Sequence, residues 1–333
     1  MSILTQPHFH DEEAAFEKLE SIVWPNGPVC PKCGNNEKIY SLKGVRTKPS
    51  KKNPEGVIRH GLKKCGKCRK QFTVRVGTVF ESSHAPLHLW FQAVHLMCSS
   101  KKGISAHQLH RVLEVQYNTA WFMAHRIREA MRSGDLAPMG GNGGSGIVEA
   151  DETFIGRKKG APKRRGTHHK HAVLSLVERD GKVRSRHVTD VKAETLIGIV
   201  NENIAREAKI MTDDAATYYE KLTDFADHQT VNHSADEYVR YENGEAIHTN
   251  TVEGYFSIFK RGMKGVYQHC SEKHLHRYLA EFDFRYNQRQ KLGVNDENRT
   301  TKALCGIVGK RLAYRDSSVP EGREKSQWAR RSQ

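Results

Sequence analysis

Two C-x2-C pairs, Cys30/Cys33 and Cys65/Cys68, stand 31 residues apart. That spacing lets four thiolates close tetrahedrally around one Zn2+, each pair entering from its own turn. Four sulfurs leave no open coordination position, so the metal expected here is structural and supplies folding energy to a segment with little core of its own. The competing uses, a redox pair or unrelated thiols, fit the paired spacing less well. Cys98, Cys270 and Cys305 are single and read as packed thiols.

Around this feature the chain punctuates itself. Residues 11–24 read as a short amphipathic helix ended by Trp24-Pro25-Asn26-Gly27, and residues 47–56 as a Lys/Pro-rich loop between the cysteine pairs. Residues 71–76 alternate like a strand. From Pro86 the period turns helical, with Leu87, Trp90, Phe91, Val94 and Met97 on one stripe. Ser105 is a natural N-cap for residues 106–113, and a tight turn leads to a helix over 118–131. This pair reads as a helix-turn-helix, with an ordinary helical hairpin as the alternative. Five glycines between 140 and 146 mark a flexible linker and a domain boundary.

Beyond the linker the pattern is strand, hairpin, helix, strand, helix, strand, helix, helix: 147–155, then 172–179 and 182–188 about Asp180-Gly181, then 193–205, 209–212, 215–222, 230–232, 251–263 and 274–286. That is the element order of an RNase-H-like α/β fold. The expected organisation is an N-terminal helix plus zinc ribbon over 1–80, a helix-turn-helix region over 81–133, a Gly-rich linker over 134–146, an RNase-H-like catalytic domain over 147–294 and a polar, basic tail over 295–333.

Lys plus Arg total 54 against 38 acids, a formal net charge of +16. A surplus of that size, spread along the chain, suits a polyanionic partner. No apolar run approaches a membrane span and the N-terminus lacks a secretory pattern, so a cytoplasmic, nucleoid-associated location is expected.

The acids carry the chemistry. Val148-Glu149-Ala150-Asp151-Glu152-Thr153-Phe154 places carboxylates inside a strand, where they are expensive unless used. Val148, Ala150 and Phe154 fall on one face, Glu149 and Asp151 on the other, and Glu152 on the apolar face or at the strand end. Asp213-Asp214 ends a second strand. On the helix that follows His248-Thr249-Asn250, the residues Asn250, Glu253, Ser257 and Lys260 share an arc of roughly 80°. Taken alone, Glu253 and Lys260 would be a solvated surface pair. Together the separated acids suit a two-metal phosphoryl-transfer centre with Mg2+ or Mn2+.

The ordered motifs are similar to those of bacterial insertion-sequence transposases of the IS-fifteen-ninety-five, or ISXO-like, family. They are Trp24-Pro-Asn-Gly, Cys30-Pro-Lys-Cys33-Gly, Cys65-Gly-Lys-Cys68-Arg-Lys-Gln-Phe72, Gly77-Thr-Val-Phe80, Asp151-Glu-Thr-Phe-Ile-Gly156, Thr212-Asp213, Val231-Asn-His-Ser234, His248-Thr-Asn-Thr-Val-Glu253 with Lys260-Arg-Gly262, and Phe284-Arg-Tyr-Asn287. The resemblance runs from about Phe16 to Arg289. It implies a DDE domain that cuts and joins transposon ends, with Asp151, Asp213 and Glu253 as metal-binding catalytic carboxylates and Lys260 as the accompanying basic residue. Asp151 is expected to touch both ions, Asp213 one and Glu253 the other. Part of the family carries Asn at the third position, which draws attention to Asn250.

The expected partners are double-stranded DNA, as terminal inverted repeats and target, and further copies of the chain in a synaptic complex. Arg126, Arg128 and the basic loop with Lys158, Arg164 and Arg165 are expected on phosphates, and Asn118 and Thr119 on bases. Two other readings remain: a zinc-ribbon regulator without catalysis, and an RNase-H-like nuclease.

Overall fold

The computed structural model describes residues 3–51, 53–134, 137–141, 146–162, 165–213, 222–232, 235 and 237–312. By contact they group into two compact units. One comprises the residues up to Ser100, Ile104–Met131 and the described residues from Asp296 on. The other comprises Lys101–Gly103 and Arg132–Asn295. Among the described residues no helix is long and apolar enough to cross a membrane.

In the first unit, Asp11 caps α1 (Glu12–Val23) by accepting the Ala14 N–H at 2.7 Å, with Glu12 and Glu13 in the first turn where the helix dipole favours acids. Three short strands, β1 (Ile39–Ser41), β2 (Lys63–Cys65) and β3 (Gln71–Phe72), form an antiparallel sheet in that order. The expected strand over 71–76 stops at Phe72, and the chain turns where Val76 N–H meets the Thr73 carbonyl. The apolar stripe after Pro86 becomes α2 (Leu87–Ser99), with Leu87, Trp90, Phe91, Val94 and Met97 buried. Pro86 offers α2 no side-chain cap. Glu12 supplies one from α1, accepting the Leu87 and His88 N–H groups at 2.7 and 3.1 Å.

Ser105 caps α3 (Ala106–Leu113) by accepting the Gln108 N–H, and Glu114 in the left-handed region ends it. Three residues later α4 (Tyr117–Met131) begins and packs on α3.

The second unit is built on a five-stranded sheet. β4 (Ile147–Ile155), β5 (His171–Glu178) and β6 (Val183–Val188) run antiparallel, and Asp180-Gly181 turns the β5–β6 hairpin with Asp180 at φ +55°. After α5 (Ala193–Asn203), β7 (Lys209–Asp213) returns parallel to β4, and β8 (Asp227–Val231) adds parallel to β7. The order across the sheet is β6-β5-β4-β7-β8. A two-stranded ribbon, β9 (Arg240–Glu242) with β10 (Glu245–Ile247), precedes α6 (Asn250–Gly262) and α7 (Glu272–Asn287). The sequence expectation had no strands here, although Asn243-Gly244 carries the positive φ angles of a tight hairpin turn.

Strand alternation sorts the two cores. Val148, Ala150, Leu174 and Leu176 pack with Leu196 and Val200 of α5. On the opposite face Ile155, Val173 and Val177 pack with Val252, Phe256 and Phe259 of α6 and Leu275 and Phe282 of α7.

Two expectations need correction. Residues 137–141 are no free tether: Met139 is 5% exposed in the α5 core, and its N–H donates to the Asn203 carbonyl. Gly140 is required there, because a Cβ would meet Ala208 Cβ at 2.6 Å. Nor is the segment after Asn295 only a polar tail. Asp296–Cys305 forms α8, which packs on α2 through buried Ala303 and Leu304, with Ile307 and Leu312 following into the core. Residues 215–221 of the expected helix over 215–222 and the centre of the Gly-rich linker, 142–145, lie outside the described residues.

Candidate active site

The four cysteines do converge. The ligand atoms of Cys30, Cys33, Cys65 and Cys68 all lie within 4.8 Å of one another. Cys30 Sγ is 3.7 Å from Cys68 Sγ, and Cys33 Sγ is 3.6 Å from Cys65 Sγ. Four sulfurs at about 2.3 Å from one zinc stand about 3.8 Å apart, so the cluster already has the size of a zinc-thiolate tetrahedron. Each pair sits on a turn: Gly34 N–H reaches the Cys30 carbonyl, and Cys65 N–H reaches that of Lys70. The Cys68 N–H donates to Cys65 Sγ at 3.5 Å and holds that thiol down to about 6, while burial and the three neighbouring sulfurs push the Cys68 thiol up to about 11, as four crowded thiols share their protons. Trp24, Ile39, Phe72 and Val76 pack around the sulfurs.

The second constellation is carboxylic. β4 pairs in parallel with β7 through Val148↔Ile210 and Glu149↔Met211, and the same register carried two residues further sets Asp151 beside Asp213. α6, which carries Glu253, packs on β4 and β5. Asp151 registers all of this. Its carboxyl is pushed up to about 7, first by burial, then by the neighbouring Glu152, and further by the charges of Asp213 and Glu253. The Glu152 N–H, donating to Asp151 Oδ1 at 2.6 Å, works in the opposite direction. Two acids 62 and 102 positions further along the chain therefore act on Asp151. Carboxylate oxygens are hard donors of the kind that Mg2+ or Mn2+ takes.

The placement of α6 rests on a residue to which the sequence reading gave no role. Glu149, two residues before Asp151 on the same face of β4, is wholly buried. Its carboxylate accepts the N–H groups of Thr251 and Val252 at 2.8 and 3.0 Å and the Thr251 hydroxyl at 2.8 Å, capping α6 from the sheet. Arg179 donates to Glu149 at 2.8 Å and to the carbonyls of Ala246 and His248, fixing the turn that leads into α6. Burial, with Arg179 beside it, lowers the His248 imidazole below its usual range, so its Nδ1 accepts the Asn250 N–H at 3.3 Å. The available signal was Glu149 itself, an acid at an interior strand position.

Lys260 lies two turns along α6, partly exposed, its Nζ 5.7 Å from the centre of the Phe256 ring. Asn250 is exposed at the first position of the helix. Asn118 is exposed at the start of α4, with Thr119 half-buried beside it; Lys158 is half-buried and Arg165 exposed. Arg164 lies outside the described residues, as does Asp214.

Arg126 and Arg128 are different from the expectation. They are 5% and 2% exposed, and Arg126 donates to the carbonyls of Leu312 and Glu81 at 3.0 and 2.9 Å. Both side chains are buried in the first unit and are not presented on its surface. The reason is the α4 core stripe, Ala120, Met123, Ala124 and Ile127, whose burial carries its polar neighbours inward.

Residues 144–287 match the ISXO2-like transposase domain, and residues 10–71 match the transposase zinc-ribbon domain. Over 308 residues the chain is 29% identical to an uncharacterized protein in transposable element ISH50 of Halobacterium salinarum, covering 86% of this chain and 94% of that protein.

Proposed function

We propose that this chain is an insertion-sequence transposase of the ISXO2-like kind, as its matches to that domain and to the transposase zinc ribbon support, and that it cuts transposon ends and joins them to target DNA by metal-dependent phosphoryl transfer at Asp151, Asp213 and Glu253. One observation carries the reading: the parallel β4–β7 register, carried two residues on, aligns Asp151 with Asp213, and the charges of Asp213 and Glu253 both raise the Asp151 carboxyl. Two Mg2+ or Mn2+ ions held there would activate an attacking hydroxyl and stabilise the leaving oxygen. The chain's own share is to hold three carboxylates together against their repulsion, through the β4–β7 register and the Glu149 cap on α6. Lys260, on the same arc of α6 as Glu253, offers an ammonium to a DNA phosphate beside the acids.

The sheet order β6-β5-β4-β7-β8, with three antiparallel strands followed by two parallel ones, supports an RNase-H-like catalytic domain. The three-residue turn between α3 and α4 and the exposed Asn118 support a helix-turn-helix that reads DNA from the start of α4. Exposed Arg165 and partly exposed Lys158 suit phosphate contacts. Pairing of two ends calls for at least two copies of the chain.

The test is cleavage and strand transfer on the element's own ends. Glu253→Gln keeps the shape and removes the charge; it abolishes cleavage and leaves end binding within about twofold. Glu152→Gln serves as control and retains cleavage. A chain that binds ends and never cuts is a regulator, and one that cuts without joining is a nuclease. Should Glu253→Gln cut normally while Asn250→Ala does not, the third carboxylate has been misassigned.

A further inference from the structure

Among the described residues one other group has metal-ligand chemistry: His171, His187 and Glu272. The β-register builds it. His187 on β6 pairs with Val173 on β5, two residues along from His171, so both imidazoles stand on one face as diagonal neighbours. Their rings are 5.5 Å apart and edge-on. That face is the one covered by α7, whose first residue is Glu272. Each oxygen of the Glu272 carboxylate faces one ring: Oε2 is 3.9 Å from His171 Nδ1, and Oε1 is 3.8 Å from His187 Nε2.

These distances are too long for hydrogen bonds. The consequence falls on His171, whose side chain is 4% exposed and whose Nδ1 is buried with no hydrogen-bond partner. A buried ring nitrogen aimed at a carboxylate it does not reach calls for an occupant between them. One ligand atom from each residue lies within 4.8 Å of the others. Tetrahedral zinc with nitrogen and oxygen ligands at about 2.0–2.1 Å brings donors to about 3.4 Å, a closure of roughly half an ångström for the two measured pairs. Two imidazoles exclude a preference for Mg2+.

We propose that His171, His187 and Glu272 hold a second zinc ion, distinct from the thiolate cluster and from the three catalytic acids, with water completing the tetrahedron. Bound there, the ion fastens the β5–β6 hairpin to the start of α7. The proposal stands independently of the assignment of Asp151, Asp213 and Glu253.

The experiment uses the full-length chain in millimolar Mg2+, which keeps zinc from the carboxylates. Metal analysis is expected to give two zinc ions per wild-type chain and one in Glu272→Gln. Because Glu272 is 55% exposed, that change spares the fold, and His187→Gln gives a second, independent variant. Co2+ added to chain whose ribbon zinc is in place gives visible d–d bands without thiolate charge transfer, absent from both variants. A wild-type chain that holds one zinc and gives no such bands overturns the proposal. So does Co2+ binding that is equal in wild type, Glu272→Gln and His187→Gln.

Discussion

Asp151 is the residue on which the proposed chemistry imposes the largest cost. A carboxyl raised from 3.8 to about 7 is one that the folded chain prefers protonated. The folded state therefore binds the proton more tightly than the unfolded chain, and stability falls as pH rises from about 4 to about 7, staying low above it. Asp151→Asn removes that loss. In EDTA, thermal unfolding is expected to show the variant more stable than wild type at pH 8 by on the order of 2 kcal/mol, and no more stable near pH 4. Added Mg2+ reverses the order at pH 8, because it stabilises only the chain that keeps the carboxylate. A variant less stable than wild type in EDTA at pH 8 would show that Asp151 is a structural acid. At this scale the sequence was legible for the cysteines, whose paired spacing converges as four sulfurs within 4.8 Å of one another. It pointed elsewhere for Arg126, because a guanidinium on a helix reads as a phosphate ligand until the carbonyls it satisfies, those of Leu312 and Glu81, are in view.

The element that decides whether the three acids meet is α6, and what places α6 is a side chain from the sheet. Glu149 satisfies the first free N–H groups of the helix and pairs with Arg179 with no exposure to solvent. Removing one partner of such a buried pair costs about 3–5 kcal/mol, so Glu149→Ala is expected to unfold the second unit at a much lower temperature. Glu149→Gln keeps acceptor and shape but loses the charge that faces Arg179 and the helix dipole. Its cleavage is expected to need about tenfold more Mg2+ than wild type and to recover at saturating metal, while end binding is unchanged. A purely structural role would lower the amount of active protein without moving the metal requirement. Elements whose stability is local were legible: Ser105 before α3, the alternation of β4, the Asp180-Gly181 hairpin. Elements made by long-range packing were less so. α8 has an average character that is polar, and its helix face is defined by α1, α2 and α4, all far away along the chain. The β9–β10 ribbon was hidden by its polarity, Arg240 and Glu242 facing each other and solvent.

For the molecule as a whole, two features read from the sequence act on different parts. The ribbon has three short strands and a cluster core of Cys30, Cys65 and Phe72, too little apolar surface to hold itself together, so its fold is expected to depend on zinc. Cys65→Ser with Cys68→Ser should release the ribbon zinc and abolish hydrogen-exchange protection in β1–β3, while β4–β6 remain protected; zinc retained at that cluster would rule out the thiolate site. The net charge of +16 acts on the partner. Each phosphate neutralised releases counterions, so log affinity for DNA falls with log salt at about 0.9 per contact. Six contacts would cost about 10^3-fold in affinity between 50 and 200 mM salt. The structure divides the basic residues into two groups for this measurement. Arg165→Ala and Lys158→Ala, on exposed and partly exposed positions, are each expected to reduce the slope by about 1 and to leave the unfolding temperature unchanged. Arg126→Ala is expected to do the opposite, lowering the unfolding temperature through the lost bonds to Leu312 and Glu81 while the slope stays at the wild-type value. If Arg126→Ala lowers the slope and leaves stability intact, the guanidinium leaves its buried site to meet DNA, and α4 must turn to let it do so.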